Sequence, residues 1–83
     1  MKTLIKLEQP GCNPCKMVSE HLERLDVDYE TYDVTEEEGM DLASEFGVMG
    51  VPVTILLNDG VEVQRSVGFK PGELEDMVEE LNK

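Results

Sequence analysis

Gln9-Pro10-Gly11-Cys12-Asn13-Pro14-Cys15-Lys16 holds both cysteines of this 83-residue chain. An apolar run, Leu4 to Leu7, leads into it, and a helical pattern follows. Sulfurs at i and i+3 across the first turn of a helix lie close enough to bridge without backbone movement. The first sulfur falls at the helix N-terminus. Unpaired amide N–H groups and the helix macrodipole favour an anion there, so a thiol becomes more acidic. A strand, then C-x-x-C, then a helix points to redox chemistry.

Downstream of Pro14, which is tolerated in a first helical turn, Cys15, Val18, Leu22 and Leu25 recur at i, i+3, i+7 and i+10. That stripe predicts an amphipathic helix ending near Asp26, with Cys15 buried on it and Cys12 exposed before it. Upstream, Thr3 to Leu7 reads as a strand. Its apolar residues fall on both parities, as in a strand covered on both faces, and Lys6 is out of place on it. Asp28 to Val34 reads as a polar edge strand. Thr35 to Glu38 forms a capping box, with Thr35 as N-cap and Glu38 at N3. Leu42, Ala43 and Phe46 supply the apolar face of the helix it opens, and Gly47 suits its end.

Val51 to Leu57 is a nearly unbroken apolar run, expected as a central strand with Pro52 at its start. Asn58-Asp59-Gly60 is a hairpin signal. Val61 to Val67 then alternates, with Val61, Val63 and Val67 on one face and Glu62, Gln64 and Ser66 on the other. Leu74, Met77, Val78 and Leu81 mark a last amphipathic helix. The expected fold is α/β, with order βαβαββα, a four-stranded mixed sheet flanked by helices, and one domain over residues 1–83. The first two strands should be parallel through a right-handed crossover, and the last two should form an antiparallel hairpin.

A chain of this length buries only about 60% of its unfolded surface. A disulfide closing so short a loop adds little stability, so an apolar core must hold the fold. Nineteen acidic residues against seven basic ones leave a formal net charge of −12. That opposes binding to nucleic acid or to anionic membrane. It suits a solvated surface, or steering toward a basic partner such as a reductase. Residues 1–25 contain no apolar block suited to a signal peptide, and no run of about 18 apolar residues could span a membrane. The expectation is a cytoplasmic protein in a compartment that keeps thiols reduced, where a C-x-x-C is more often catalytic or metal-binding than structural. His21, the only histidine, lies about 240° around the helix from Cys15 and reads as a surface residue. Met17, Met40, Met49 and Met77 read as core or edge fillers.

The element order, with C-x-x-C after the first strand and Val51-Pro52 before the third, resembles the thioredoxin–glutaredoxin superfamily over the whole chain. Met49-Gly50-Val51-Pro52, Asn58-Asp59-Gly60 and Val67-Gly68 look like the second half of thioredoxin. Pro10-Gly11-Cys12 reads like a glutaredoxin. Gly68-Phe69-Lys70-Pro71 resembles the small NrdH-type redoxins, some of them phage-encoded, which pass electrons to ribonucleotide reductase. Thioredoxins carry a buried Asp six residues before the first cysteine, where this chain has Lys6. That leaves open which group takes the proton of Cys15, with Glu8 or a water as stand-in. Glutaredoxins carry a Lys three residues before the first cysteine and a Thr before the proline, where this chain has Gln9 and Val51. In place of the glutathione motif it has Gly68-Phe69.

The resemblance implies a catalytic pair, Cys12 and Cys15. Cys12 attacks a substrate disulfide, and Cys15 resolves the mixed disulfide. It implies a cis Pro52 packed against them. It also implies a substrate surface made by Gly11, Asn13, Pro14, Val51, Pro52, Gly68 and Phe69. It implies no bound cofactor or metal, electrons from a thioredoxin reductase and NADPH, a monomer, and a disulfide-bearing client such as ribonucleotide reductase. The alternatives are a glutathione-dependent glutaredoxin and a metal-binding module. The second would be a copper-chaperone-like βαββαβ domain, or a zinc site, which would need further ligands.

Overall fold

In the computed structural model, which describes residues 1–83, the apolar run becomes an inner strand, β1 (Lys2–Glu8). The other elements are α1 (Asn13–Arg24), β2 (Glu30–Asp33), α2 (Glu37–Glu45), β3 (Val53–Asn58), β4 (Val61–Val67) and α3 (Pro71–Leu81). The sheet order is β2-β1-β3-β4, with β1 parallel to β2 and both other pairings antiparallel. This is the expected βαβαββα arrangement with a mixed four-stranded sheet, and it differs from the βαββαβ order of the metal-carrier alternative.

Period-two alternation divides the core. Leu4 and Leu56 face α1 and α3, where Val18, Leu22, Leu74 and Met77 meet them. Ile5, Leu7, Val53 and Ile55 face the opposite way, under Leu42 and Phe46. Both faces are therefore covered, as the two-parity pattern of β1 requires. Truncating one of these buried side chains to alanine costs about 2–5 kcal/mol. The short polar strand β2 lies at one edge, and β4 lies at the other.

Asp59 and Gly60 have φ of 54° and 83°. Two left-handed residues in succession make the two-residue hairpin loop that fits the twist of its strands. Helix α2 ends with Gly47 at φ 65°. The Gly47 N–H bonds the Ser44 carbonyl at 3.3 Å, and the Val48 N–H bonds the Ala43 carbonyl at 2.8 Å. Those two bonds satisfy carbonyls that the helix end would leave unpaired.

Three expectations are corrected. The capping box does not form. The Thr35 N–H and hydroxyl both donate to the Asp33 carboxylate, at 2.8 and 2.6 Å. Thr35 is thus held in the turn after β2. Helix α2 starts one residue later than the box implied, behind Glu36, whose side chain makes no capping bond. These two bonds hold the Asp33 carboxyl below the usual range, the Thr35 hydroxyl contributing most.

The simple alternation of β4 also fails. Leu56 pairs with Gln64 and Leu57 with Glu62, so Val63 is an extra residue in a bulge. The bulge shifts the parity, and Val61, Val63 and Val67 are all more than half exposed. Ser66 points into the core instead, bonding Glu73 at 2.7 Å. Arg65 joins Glu62 through Nε and Nη2, each at 2.7 Å. Of the methionines, only Met77 is a core filler; Met17 and Met40 are about half exposed, and Met49 is 99% exposed. Met49 stands in the turn before β3, where no sheet face or helix stripe can bury it.

Two positions test the packing. A Cβ on Gly39 would lie 1.9 Å from the Asp33 carbonyl oxygen, which is backbone and cannot yield cheaply. Gly39→Ala should therefore destabilise by about 2–3 kcal/mol in urea unfolding. The Thr54 hydroxyl is buried with no hydrogen-bond partner. Thr54→Val should raise stability by about 1 kcal/mol, seen as a Tm increase of roughly 4–8 °C.

Candidate functional site

The antiparallel register pairs Leu7 with Val53, and Val53 with Val67. The exit of β1, the entry of β3 and the exit of β4 therefore share one end of the sheet. Pro52 directly precedes β3, Gly68 directly follows β4, and Cys12 follows β1 after Gln9, Pro10 and Gly11, so that end gathers the candidate residues.

Cys12 is the N-cap of α1. Its sulfur accepts the Cys15 N–H at 3.2 Å, and its carbonyl accepts the Lys16 N–H at 3.3 Å. Cys12 and Cys15 are joined by a disulfide, with Cα atoms 5.2 Å apart. Cys15 is 2% exposed, on the stripe with Val18 and Leu22. Cys12 is partly exposed, less open than its place ahead of the stripe suggested. The first turn of α1 contains no acidic side chain. Nothing there offsets the positive end of the helix, which would stabilise a thiolate on Cys12 once the bridge is reduced. Gly11, at φ 75°, makes the turn from β1 into this cap. Asn13 and Pro14, exposed between the cysteines, form the outer surface of the first turn.

The Val51–Pro52 peptide is cis, and Pro52 is buried. The Gly68 N–H bonds the Pro52 carbonyl at 2.8 Å, tying the end of β4 to this turn. Gly68 has φ 80°, a conformation suited to glycine. The N–H and C=O of half-buried Val51 take no part in the backbone hydrogen bonds. Val51 also lines an apolar groove of about 440 Å³ with Met40, Val48, Met49 and Gln9. Gln9 reaches a second cavity of about 460 Å³, bordered by Cys12, Cys15, Glu8 and Ser19. Groove and disulfide are thus continuous through one side chain.

Phe69 is half-buried and packs on the core between the sheet and α1/α3. It meets His21 edge-on, with ring centroids 6.0 Å apart. The histidine expectation needs correcting as well. The His21 side chain is only 15% exposed, with Nε2 3.1 Å from Glu75 of α3. Its flank of α1 faces α3 and not water. No group of three or more His, Cys, Asp or Glu side chains is gathered where it could hold a metal ion. No helix is long and apolar enough to cross a membrane.

Lys6 is fully buried on the α1 face of β1, and its ammonium donates to the Glu8 carboxylate and the Ser19 hydroxyl. Burying an ammonium is costly unless it is paired, and these two acceptors resolve its odd place in the strand. Sequence reasoning missed Ser19 and Gln9. Ser19 was within reach, since it stands one turn after Cys15 on the same helix flank. Gln9 carried no periodic signal.

The chain is similar to several known proteins. The glutaredoxin family model matches residues 1–61. The SPbeta prophage-derived thioredoxin-like protein YosR of Bacillus subtilis is 65% identical over 79 residues, spanning 94% of this chain and 96% of that one. The thioredoxin of Bacillus subtilis is 39% identical over 74 residues, 83% of this chain and 71% of that one. Among solved structures, mitochondrial thioredoxin 3 of Saccharomyces cerevisiae superposes with a TM-score of 0.81 at 33% identity, covering 96% of this chain and 78% of that chain. Malassezia sympodialis thioredoxin reaches a TM-score of 0.86 at 22% identity, covering 99% and 76%, and speaks for the fold alone.

The unequal exposure of the two sulfurs has a chemical consequence. After reduction, iodoacetamide at neutral pH should alkylate Cys12 at least about tenfold faster than Cys15. Peptide mass mapping of partly modified protein checks this.

Proposed function

Since the chain belongs to the thioredoxin/glutaredoxin superfamily, we propose that it is a small dithiol reductase of protein disulfides. The observation that carries this reading is the Cys12–Cys15 bridge at the head of α1, one sulfur accessible and the other buried behind it. In the reduced protein the Cys12 thiolate attacks a client disulfide. A Cys12–client bond forms, and one client thiolate leaves. Cys15 then attacks the Cys12 sulfur, closes the Cys12–Cys15 bond and expels the second client thiolate. Two electrons pass to the client, and Cys15 acts at high effective concentration because it is already in place.

The client would lie as an extended segment along Val51, whose free N–H and C=O suit short strand pairing. Gly68 leaves room for its backbone, the apolar groove takes a side chain, and Asn13, Pro14 and Gly11 border the attacked sulfur. The reading includes a monomer in the cytoplasm, electrons from a thioredoxin reductase, and ribonucleotide reductase as one client. The strongly acidic surface favours partners with a basic rim. The glutaredoxin family match supports a second reading, with glutathione as the donor. Against it stand Gln9, Val51 and Gly68-Phe69, where the glutathione-binding residues are expected.

Insulin reduction coupled to NADPH, through thioredoxin reductase or through glutathione and its reductase, tests both readings. Activity is expected with the first system. Turnover with the second alone would move the chain to the glutathione class, and none with either would end the proposal. Cys12→Ser should abolish turnover, whereas Cys15→Ser should accumulate client mixed disulfides on gels without reductant.

A further inference from the structure

The exchange sequence leaves one proton unassigned. Cys15 must lose it before attacking Cys12, and Cys15 is only 2% exposed, with little access to bulk solvent to accept it. A fully buried lysine on the same side of the sheet is equally unused by that sequence. We infer that Glu8 accepts the Cys15 proton, directly or through water in the cavity they share, and that Lys6 and Ser19 hold its carboxylate there.

Three observations carry this. Glu8, Cys12, Cys15 and Ser19 border one cavity of about 460 Å³, large enough for water. Lys6 bridges Glu8 and Ser19, so the carboxylate is tethered to the helix turn after Cys15. Glu8 is also the last residue of β1, with its carbonyl bonded to the Val34 N–H at 2.8 Å, which fixes its backbone. The other groups around this point do not compete for the role. Lys16 and Glu20 also line the cavity, but both are exposed, and it is the Glu8 carboxylate that Lys6 holds beside Ser19. Tyr29 stays neutral, its hydroxyl pushed above the usual range, chiefly by burial.

The step balances. The Cys15 S–H proton passes to the Glu8 carboxylate. The Cys15 thiolate attacks the Cys12 sulfur, the Cys12–client bond breaks, and the client thiolate leaves with the electron pair. That thiolate, or solvent, takes the proton back from Glu8. In the reverse direction a donor dithiol opens the Cys12–Cys15 bond, and the leaving Cys15 thiolate is protonated from Glu8. Lys6 is a positioning residue here, since it acts through Glu8.

The inference rests on the dithiol reading, but its test needs neither a protein client nor a reductase. Reduced protein is mixed with an aromatic disulfide (5,5′-dithiobis(2-nitrobenzoate)) in a stopped-flow spectrometer. One equivalent of chromophore is released as Cys12 is captured, and a second as Cys15 resolves the adduct. In the wild type the second phase should vary little over about pH 6 to 8. In Glu8→Gln it should slow by about 10²-fold at neutral pH. Its rate should then climb tenfold per pH unit toward the ordinary thiol range near about 8.5, with the first phase unchanged. Glu8→Gln alone strands the Lys6 ammonium, so the Lys6→Met, Glu8→Gln double variant removes both charges and should show the same slowing and the same pH slope. A second phase that tracks the wild type in either folded variant would overturn the inference. Equal slowing of both phases would do so too, because it would mark a general loss of site structure. Such results would leave the insulin assay, and the reading it tests, untouched.

Discussion

The backbone ladder between β1 and β3 is the interaction on which the rest of this molecule depends. Its register sets Leu7 against Val53 and Lys6 against Thr54. Because the two strands run in opposite directions, the chain leaves one and enters the other at the same end of the sheet. The redox cysteines and the cis-proline turn become neighbours there, although about 40 residues separate them in sequence. Slipping this ladder by one residue would send Leu4 and Ile5 to the wrong faces, so the split core enforces the register that builds the site.

The same ladder creates an unusual interior on the α1/α3 face. Lys6, Thr54 and Ser66 are consecutive cross-strand partners on β1, β3 and β4, and all three are fully buried. Leu4 and Leu56 form the next row of the same face and are wholly apolar in their packing. A polar row close to the cysteines and an apolar row beyond it divide the labour within one sheet face. The apolar row stabilises the domain. The polar row keeps charge and hydrogen-bonding capacity near the sulfurs, at some cost in stability. Lys6 and Ser66 meet partners reaching in from Glu8, Ser19 and Glu73, while Thr54 between them does not.

The outer surface follows a different logic. Acidic side chains crowd α2 and α3, and the exposed valines of β4 sit on a strand whose bulge breaks the regular edge. A bulged edge is a poor template for pairing with another chain, which suits a small protein with an open sheet. Apolar surface lies beside the disulfide as well, from Val51 through the exposed Met49, along one groove. Methionine is flexible and polarizable and adapts to varied partners. The family match and the relatives carry different names, glutaredoxin and thioredoxin, and the chain combines the short start of one with the cis-proline and hairpin half of the other.

The amino-acid sequence by itself determined every element and its order, because hydrophobic period, proline placement and the Asp59-Gly60 turn are local signals that no tertiary contact reversed. It also determined the reactive pair, since i, i+3 spacing at a helix start places both sulfurs whatever surrounds them. Tertiary structure alone decided what depends on partners distant in the chain. The capping box is a separate case, lost to a local competitor, because the Asp33 carboxylate two residues before Thr35 takes its N–H and hydroxyl. A bulge opposite Leu56 and Leu57 broke the alternation of β4, and its place at the sheet edge left Val61, Val63 and Val67 exposed. Helix α3 half-covered His21, and Asp33 left no room for a side chain at Gly39. Lys6 shows the division most plainly. Read along the strand it is an error in an apolar run, with one acceptor, Glu8, two residues on and the other out of sight on a helix. Only the packing of α1 on β1 brings Ser19 within reach of its ammonium.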